Sequence, residues 1–139
     1  MLIGEFEHNI DAKGRIIIPS RFRESLGEQF VITKGPDECL FVYSLDEWAR
    51  LEQTIKELPM SKARSLQLYF FSSACLADSD KQGRALIPQN LRRFAKLEKQ
   101  AMIIGASNHV EIWDLNLWNE KCNLLTPDTI ISAMEEIGF

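Results

Sequence analysis

A thirteen-residue stretch occurs twice in this chain, and few features constrain a fold more than an internal repeat. The first copy is Asp11-Ala12-Lys13-Gly14-Arg15-Ile16-Ile17-Ile18-Pro19-Ser20-Arg21-Phe22-Arg23. The second, displaced by a constant 69 positions, is Asp80-Lys81-Gln82-Gly83-Arg84-Ala85-Leu86-Ile87-Pro88-Gln89-Asn90-Leu91-Arg92. Asp, Gly, Arg, Ile, Pro and the final Arg match, and Ile17/Leu86 and Phe22/Leu91 are conservative exchanges. Average composition would give only about one chance identity over such a stretch. After a single inserted residue Gly35 meets Gly105, and Tyr43-Ser44-Leu45-Asp46-Glu47-Trp48 meets Trp113-Asp114-Leu115-Asn116-Leu117-Trp118. The unit therefore runs from about Leu2 to Leu58 and again from about Ser72 to Leu125, and each copy is expected to fold in the same way.

Each copy reads as strand, turn, strand, short helix, hairpin, helix. In the first, the polarity alternation of Glu5 to Ile10 predicts a half-buried strand. Asp11 to Gly14 predicts a turn, and Ile16-Ile17-Ile18 a strand buried on both faces. Pro19 opens a short helix through Phe22 and Leu26 that stops at Gly27. Phe30 to Thr33 and Cys39 to Tyr43 form a hairpin, and Ser44 with Glu47 forms a capping box for a helix. That helix carries Leu45, Trp48, Leu51, Ile55 and Leu58 on one face. Ser61 is expected to cap a linking helix. In the second copy the strands are Ala74 to Ala77, Arg84 to Ile87, Ala101 to Ile104 and Val110 to Trp113, the last two joined by a turn from Gly105 to His109. Asp114 caps the next helix. A final helix has Pro127 in its first turn and an apolar stripe of Ile130, Ile131, Met134 and Ile137.

A unit of fifty-odd residues buries little apolar surface, and its strand edges invite pairing. Two like units that exchange hairpins can close a common small barrel. This predicts interlocked halves about a pseudo-twofold axis, with the two Asp-x-x-x-Arg turns close together.

The chain has 139 residues, 45% of them apolar and 26% charged, which suits a globular protein with a real core. No apolar run reaches membrane-spanning length, and Met1 to Glu7 lacks the pattern of a signal peptide, so a cytoplasmic location is expected. Cys39, Cys75 and Cys122 are widely spaced and read as reduced core thiols. His8 and His109 have no ligand spacing, and no nucleotide-binding or hydrolase motif occurs, so neither metal, cofactor, small-molecule substrate nor enzymatic activity is expected.

The net charge of −4 speaks against nucleic acid taken alone. Its distribution does not. Lys13 to Arg23 holds four basic residues and no acid, and Lys81 to Lys99 holds six against Glu98 alone. Acids collect at Asp46, Glu47, Glu52 and Glu57 and at Glu135 and Glu136. Ordinary solvated faces would also account for these clusters.

Within the motif, Gly14 and Gly83 permit a tight turn whose tip lies at the surface. Arg15 and Arg84 follow at once, each with a planar fork of donors that matches phosphate or the O6 and N7 of guanine. Asp11 and Asp80 are expected to accept turn N–H groups and fix the arginine, and Lys13 and Lys81 to add unspecific attraction. The competing reading is an internal Asp–Arg salt bridge that only fastens the turn. Arg23 and Arg92 match as well, and pairing with local acids would give them a purely structural role.

The paired Asp11-to-Arg15 and Asp80-to-Arg84 motifs, each running into Ile-Pro, resemble the bacterial MraZ family, as do Glu5 to Asp11 and Tyr43 to Trp48. The resemblance covers essentially the whole chain. It implies an α+β fold of two tandem AbrB-like swapped-hairpin repeats at 1–58 and 72–125, with a linking helix at 59–71 and a C-terminal helix at 126–139. It further implies a nucleoid-associated, ring-shaped homo-oligomer that binds direct repeats in the promoter of the division and cell-wall gene cluster, usually as a repressor. DNA contact would fall to Arg15, Arg84, Lys13 and Lys81. A protein-binding, antitoxin-like module of the same fold is the alternative.

Overall fold

The computed structural model describes all residues, Met1 to Phe139, and is an α+β arrangement of antiparallel strands and six α-helices. Its first half contains β1 (Leu2–Asn9), β2 (Arg15–Ile17), α1 (Ser20–Leu26), β3 (Gln29–Lys34), β4 (Leu40–Ser44) and α2 (Leu45–Lys56). α3 (Met60–Leu66) and a wide π turn (Gln67–Phe71) cross to the second half. There β5 (Cys75–Asp78), β6 (Arg84–Leu86), α4 (Gln89–Phe94), β7 (Gln100–Ser107), β8 (Val110–Asp114) and α5 (Leu115–Leu124) repeat the order, and α6 (Pro127–Glu136) follows.

The halves interlock. Six strands form one sheet in the order β1-β7-β8-β4-β3-β5. Exchanging each strand for its counterpart in the other half returns the same order reversed, so the sheet has a pseudo-twofold between β4 and β8. β1 pairs with β7 from Leu2↔Ser107 to Asn9↔Gln100, and β5 pairs with β3 from Gln29↔Asp78 to Ile32↔Cys75. Each half thus lends its first strand to the hairpin of the other. The expected single barrel is instead this open six-stranded sheet plus a separate two-stranded ribbon, β2 with β6. β2 and β6, three residues each, pair with each other across the axis.

Apolar side chains from both halves meet between ribbon, short helices and sheet. Ile16, Ile18, Phe22, Phe30, Ile87, Leu91, Ile103 and Ile112 are at most 1% exposed and belong to one continuous core. A smaller cluster, Cys39, Ile104 and Trp113, gathers with Phe41 and Trp118. Side-chain caps open three helices, at Ser44 and Asp114 as the sequence indicates. Ser44 Oγ accepts the N–H of Glu47, Asp114 Oδ2 that of Leu117, and Thr126 Oγ1 that of Thr129.

Several local expectations differ from the fold. Ile17 is exposed, so the isoleucine run is not buried on both faces: the ribbon has the core on one side only. Ser61 lies inside α3, whose first turn is set by Pro59. Of the apolar face of α2 only Ile55 is buried. Cys122 is exposed and Cys75 half-buried, leaving Cys39 as the one buried thiol. The apolar stripe of α6 is exposed along its length.

Gly105 does not begin a turn; β7 continues through it to Ser107. Its register partner is Gly4, and a Cβ at Gly105 would come within 2.4 Å of the Ile3 nitrogen and 2.5 Å of the Leu2 carbonyl carbon. Backbone cannot yield as a side-chain tip can. Gly105→Ala is therefore expected to destabilise the fold by about 1–3 kcal/mol or more through overpacking, read as a lower midpoint in urea unfolding.

Candidate nucleic-acid interface

The two turns are near-copies in space. Asp11 Oδ1 accepts the backbone N–H of Lys13 and of Arg15, each at 2.9 Å, and Asp11 Oδ2 accepts Nε of Arg15 at 2.7 Å. Asp80 Oδ1 accepts from Gln82 and Arg84 at 2.9 Å each, and its Oδ2 takes Nε of Arg84 at 2.9 Å. The main chain closes both loops, with Gly14 N donating to Asp11 O at 3.0 Å and Gly83 N to Asp80 O at 2.9 Å. An aspartate is needed because one oxygen must gather two N–H groups while the other orients a guanidinium. Backbone N–H of Arg15 and Arg84 foremost, with the guanidinium and a second N–H adding, holds Asp11 and Asp80 below the usual carboxylate range.

The ribbon brings the turns together. Its register is Arg15↔Leu86, Ile16↔Ala85 and Ile17↔Arg84. Alternation sends Ile16 and Ala85 into the core and Arg15, Ile17, Arg84 and Leu86 outward. The arginine side chains are 27% and 29% exposed, and Arg84 Nη1 lies 3.9 Å from Asp11 Oδ2, so one turn's arginine reaches the other turn's carboxylate. Each arginine spends Nε on its own aspartate, and both guanidinium groups remain partly exposed.

Arg23 and Arg92 have a different role from pairing with local acids. Arg23 Nε donates to Ile18 O at 3.0 Å, and Arg92 Nε to Ile87 O at 2.9 Å. Each guanidinium then covers the turn of the other half. A Cβ on Gly14 would lie 2.6 Å from Arg92 Cζ, and one on Gly83 2.7 Å from Arg23 Cζ. The glycine carbonyls also accept across the axis, from Ile18 N to Gly83 O at 2.9 Å and from Ile87 N to Gly14 O at 3.0 Å. Both glycines have positive φ, +85° and +79°. Their sequence signal was a turn; the second requirement, room for an arginine from the other copy, is visible only once the halves are docked.

Lys13 and Lys81 stand exposed on the loops. Six cations, Lys13, Lys81, Arg15, Arg84, Arg23 and Arg92, thus gather with Asp11 and Asp80, with Asp78 and Glu28 alongside, in a chain whose net charge is −4. Ile17 and Leu86 share this outward surface, and sequence reading missed them. Their position two residues beyond each arginine on a strand was the available signal.

A family model described as "MraZ protein, putative antitoxin-like" matches residues 1–68 and 70–123. The chain belongs to the MraZ family. Among MraZ relatives, the "Transcriptional regulator MraZ" of Caldicellulosiruptor bescii is 53% identical over 100% of both chains. That of Acetivibrio thermocellus is 54% identical over the same full coverage. That of Thermoanaerobacter sp. strain X514 is 55% identical over 88% of this chain and 87% of its own.

Two outcomes follow for the MraZ turn. Gly14→Ala forces a left-handed alanine, costing about 1–2 kcal/mol, and displaces Arg92; in an Arg92→Ala background only the backbone part of the cost should remain, measured as a double-mutant cycle in urea. The second concerns acid. Because folding lowers the pKa of Asp11 and Asp80, their contribution is fully present above the unfolded value of about 3.9 and is lost as pH falls through the lower folded value. Carbon-detected NMR titration should find both carboxylates titrating below ordinary aspartates, and Asp11→Asn with Asp80→Asn should flatten stability against pH in that acid window.

Proposed function

We propose that this protein is a sequence-specific DNA-binding transcriptional regulator whose contact surface is the β2–β6 ribbon with its two flanking turns. The observation that carries the reading is the convergence of Arg15 and Arg84 on the outward face of the ribbon, each held through Nε by its own aspartate and each still partly exposed. A fixed guanidinium loses little side-chain freedom on binding, and it matches guanine O6 and N7 or a phosphate in two-point fashion. Lys13 and Lys81 supply attraction that does not depend on sequence. The relatives' printed name, a transcriptional regulator, supports the same class.

The finer features belong to the same proposal. Each half is an AbrB-like unit, 1–58 and 72–125, with 59–71 linking them and 126–139 trailing. One chain offers few phosphate contacts, so a homo-oligomeric ring on promoter direct repeats would gain its affinity by linkage, with repression as the outcome. The exposed stripe of Ile130, Ile131, Met134 and Ile137 on α6 is the proposed subunit contact. A second reading, a protein-binding module, draws on the antitoxin-like description of the family and would use the same helix.

The test is fluorescence anisotropy with duplex DNA from upstream of the protein's own gene, across a salt series. The chain should bind with affinity that falls as salt rises. Arg15→Ala and Arg84→Ala should each cost about 1–3 kcal/mol while the urea midpoint changes little. Full affinity in both variants, or no duplex binding by the parent chain at low salt, would exclude this reading in favour of the second.

A further inference from the structure

The ribbon's outward face alternates in chemistry as well as in direction. Across the pairing, Leu86 sits opposite Arg15 and Ile17 opposite Arg84. Directly opposed residues in an antiparallel pair hold their Cβ atoms about 4.5–5.5 Å apart, so each aliphatic side chain lies beside the stem of an arginine from the other copy. Ile17 is 40% exposed and Leu86 is 55% exposed, while the residues between them on the opposite face, Ile16 and Ala85, are 1% and 0% exposed. Single exposed aliphatics are ordinary. Two of them at symmetry-related positions, interleaved with the two arginines of a cationic surface, are matched to a partner that is anionic overall and offers small apolar groups at the same depth as hydrogen-bond acceptors.

Duplex DNA offers that combination in its major groove. The groove is about 12 Å wide and admits a two-stranded ribbon, and its floor displays guanine O6 and N7 together with the C5-methyl of thymine. A second copy of this chain seated on the same face would instead bury guanidinium groups against guanidinium groups, which is unfavourable without added anions.

Resting on the DNA-binding reading, we propose that Ile17 and Leu86 are specificity-determining residues, each packing on the C5-methyl of a thymine adjacent to the base read by the arginine opposite. Ile17 then reports on the step beside the Arg84 contact, and Leu86 on the step beside the Arg15 contact. The pair adds preference for a pyrimidine methyl to a surface whose charged groups alone would favour guanine or phosphate. Neither side chain is part of the core, so both can be shortened without opening a cavity.

The experiment replaces thymines of the upstream duplex by deoxyuridine one at a time, which removes a methyl and leaves the base pairing unchanged. Affinities are measured by anisotropy for the parent chain and for Ile17→Ala and Leu86→Ala. Burial of one methyl corresponds to about a fourfold change in affinity. The parent chain should lose about that factor at particular thymines. Ile17→Ala should become indifferent to the methyl at one set of positions and Leu86→Ala at another, with the salt dependence of both unchanged. Circular-dichroism melting confirms that the variants are folded. Indifference of the parent chain to every methyl, or undiminished methyl sensitivity in both variants, overturns the assignment while leaving the arginine reading intact. Absence of any salt-dependent duplex binding by the parent chain overturns both.

Discussion

The exchange of backbone hydrogen bonds between the two turns is the constraint on which the remaining geometry depends. Gly14 O is satisfied by Ile87 N and Gly83 O by Ile18 N. Neither carbonyl has a partner inside its own repeat, so neither turn is complete until the halves dock. The ribbon register follows from these bonds, and the register decides which residues face outward. Arg23 and Arg92 tie the same joint from the side, each anchored on its own isoleucine carbonyl and lying over the other copy's glycine. Strand exchange in the large sheet, β1 with β7 and β5 with β3, fixes the same relation over a longer lever. A surface residue such as Arg15 is thereby positioned by contacts that belong to the opposite half of the sequence.

That dependence explains what could be read in advance. Local chemistry was legible: Asp11 with Arg15, Asp80 with Arg84, the Ser44 and Asp114 caps, and the boundaries set by Pro19 and Pro88. Each involves groups within five positions, and the physics that places them is short-range. The juxtaposition of the turns was legible through duplication, because identical halves with unpaired edges satisfy one another most simply about a twofold axis. What escaped reading was set by docking. Three β-branched residues in a row suggest burial on both faces, yet Ile17 is exposed because a three-residue ribbon covers the core as an outermost layer. Gly105 looks like a turn residue until β1 is laid against it. Arg23 and Arg92 look like helix residues seeking an acid until the partner glycine comes into view.

An acidic chain can carry a cationic surface at modest energetic cost. No salt bridge ties the acids of α2 or α6 to the ribbon's cations. Asp11 and Asp80, at the centre of the surface, are committed to backbone N–H groups as well as to guanidinium. Their negative charge is therefore partly neutralised by the turn itself. An internal salt bridge and the proposed ligand contact are therefore compatible: the bond at Nε fastens the turn, and both guanidinium groups stay partly exposed. One guanidinium can serve both roles because it carries five donors in a fixed plane.

Duplication also supplies direction. A perfectly twofold surface would recognise an inverted sequence equally well from either strand, and could not distinguish one orientation along DNA from the other. The two copies here have diverged on this outward surface. Ile17 is matched by Leu86, and lysine occupies the third position of one loop and the second of the other. These changes leave the shared hydrogen bonds untouched, since those bonds run through Asp, Gly, Arg and the main chain. The scaffold stays symmetric while its outward surface differs between the two halves; on the proposed DNA-binding reading, that asymmetry would give the surface a direction along the duplex.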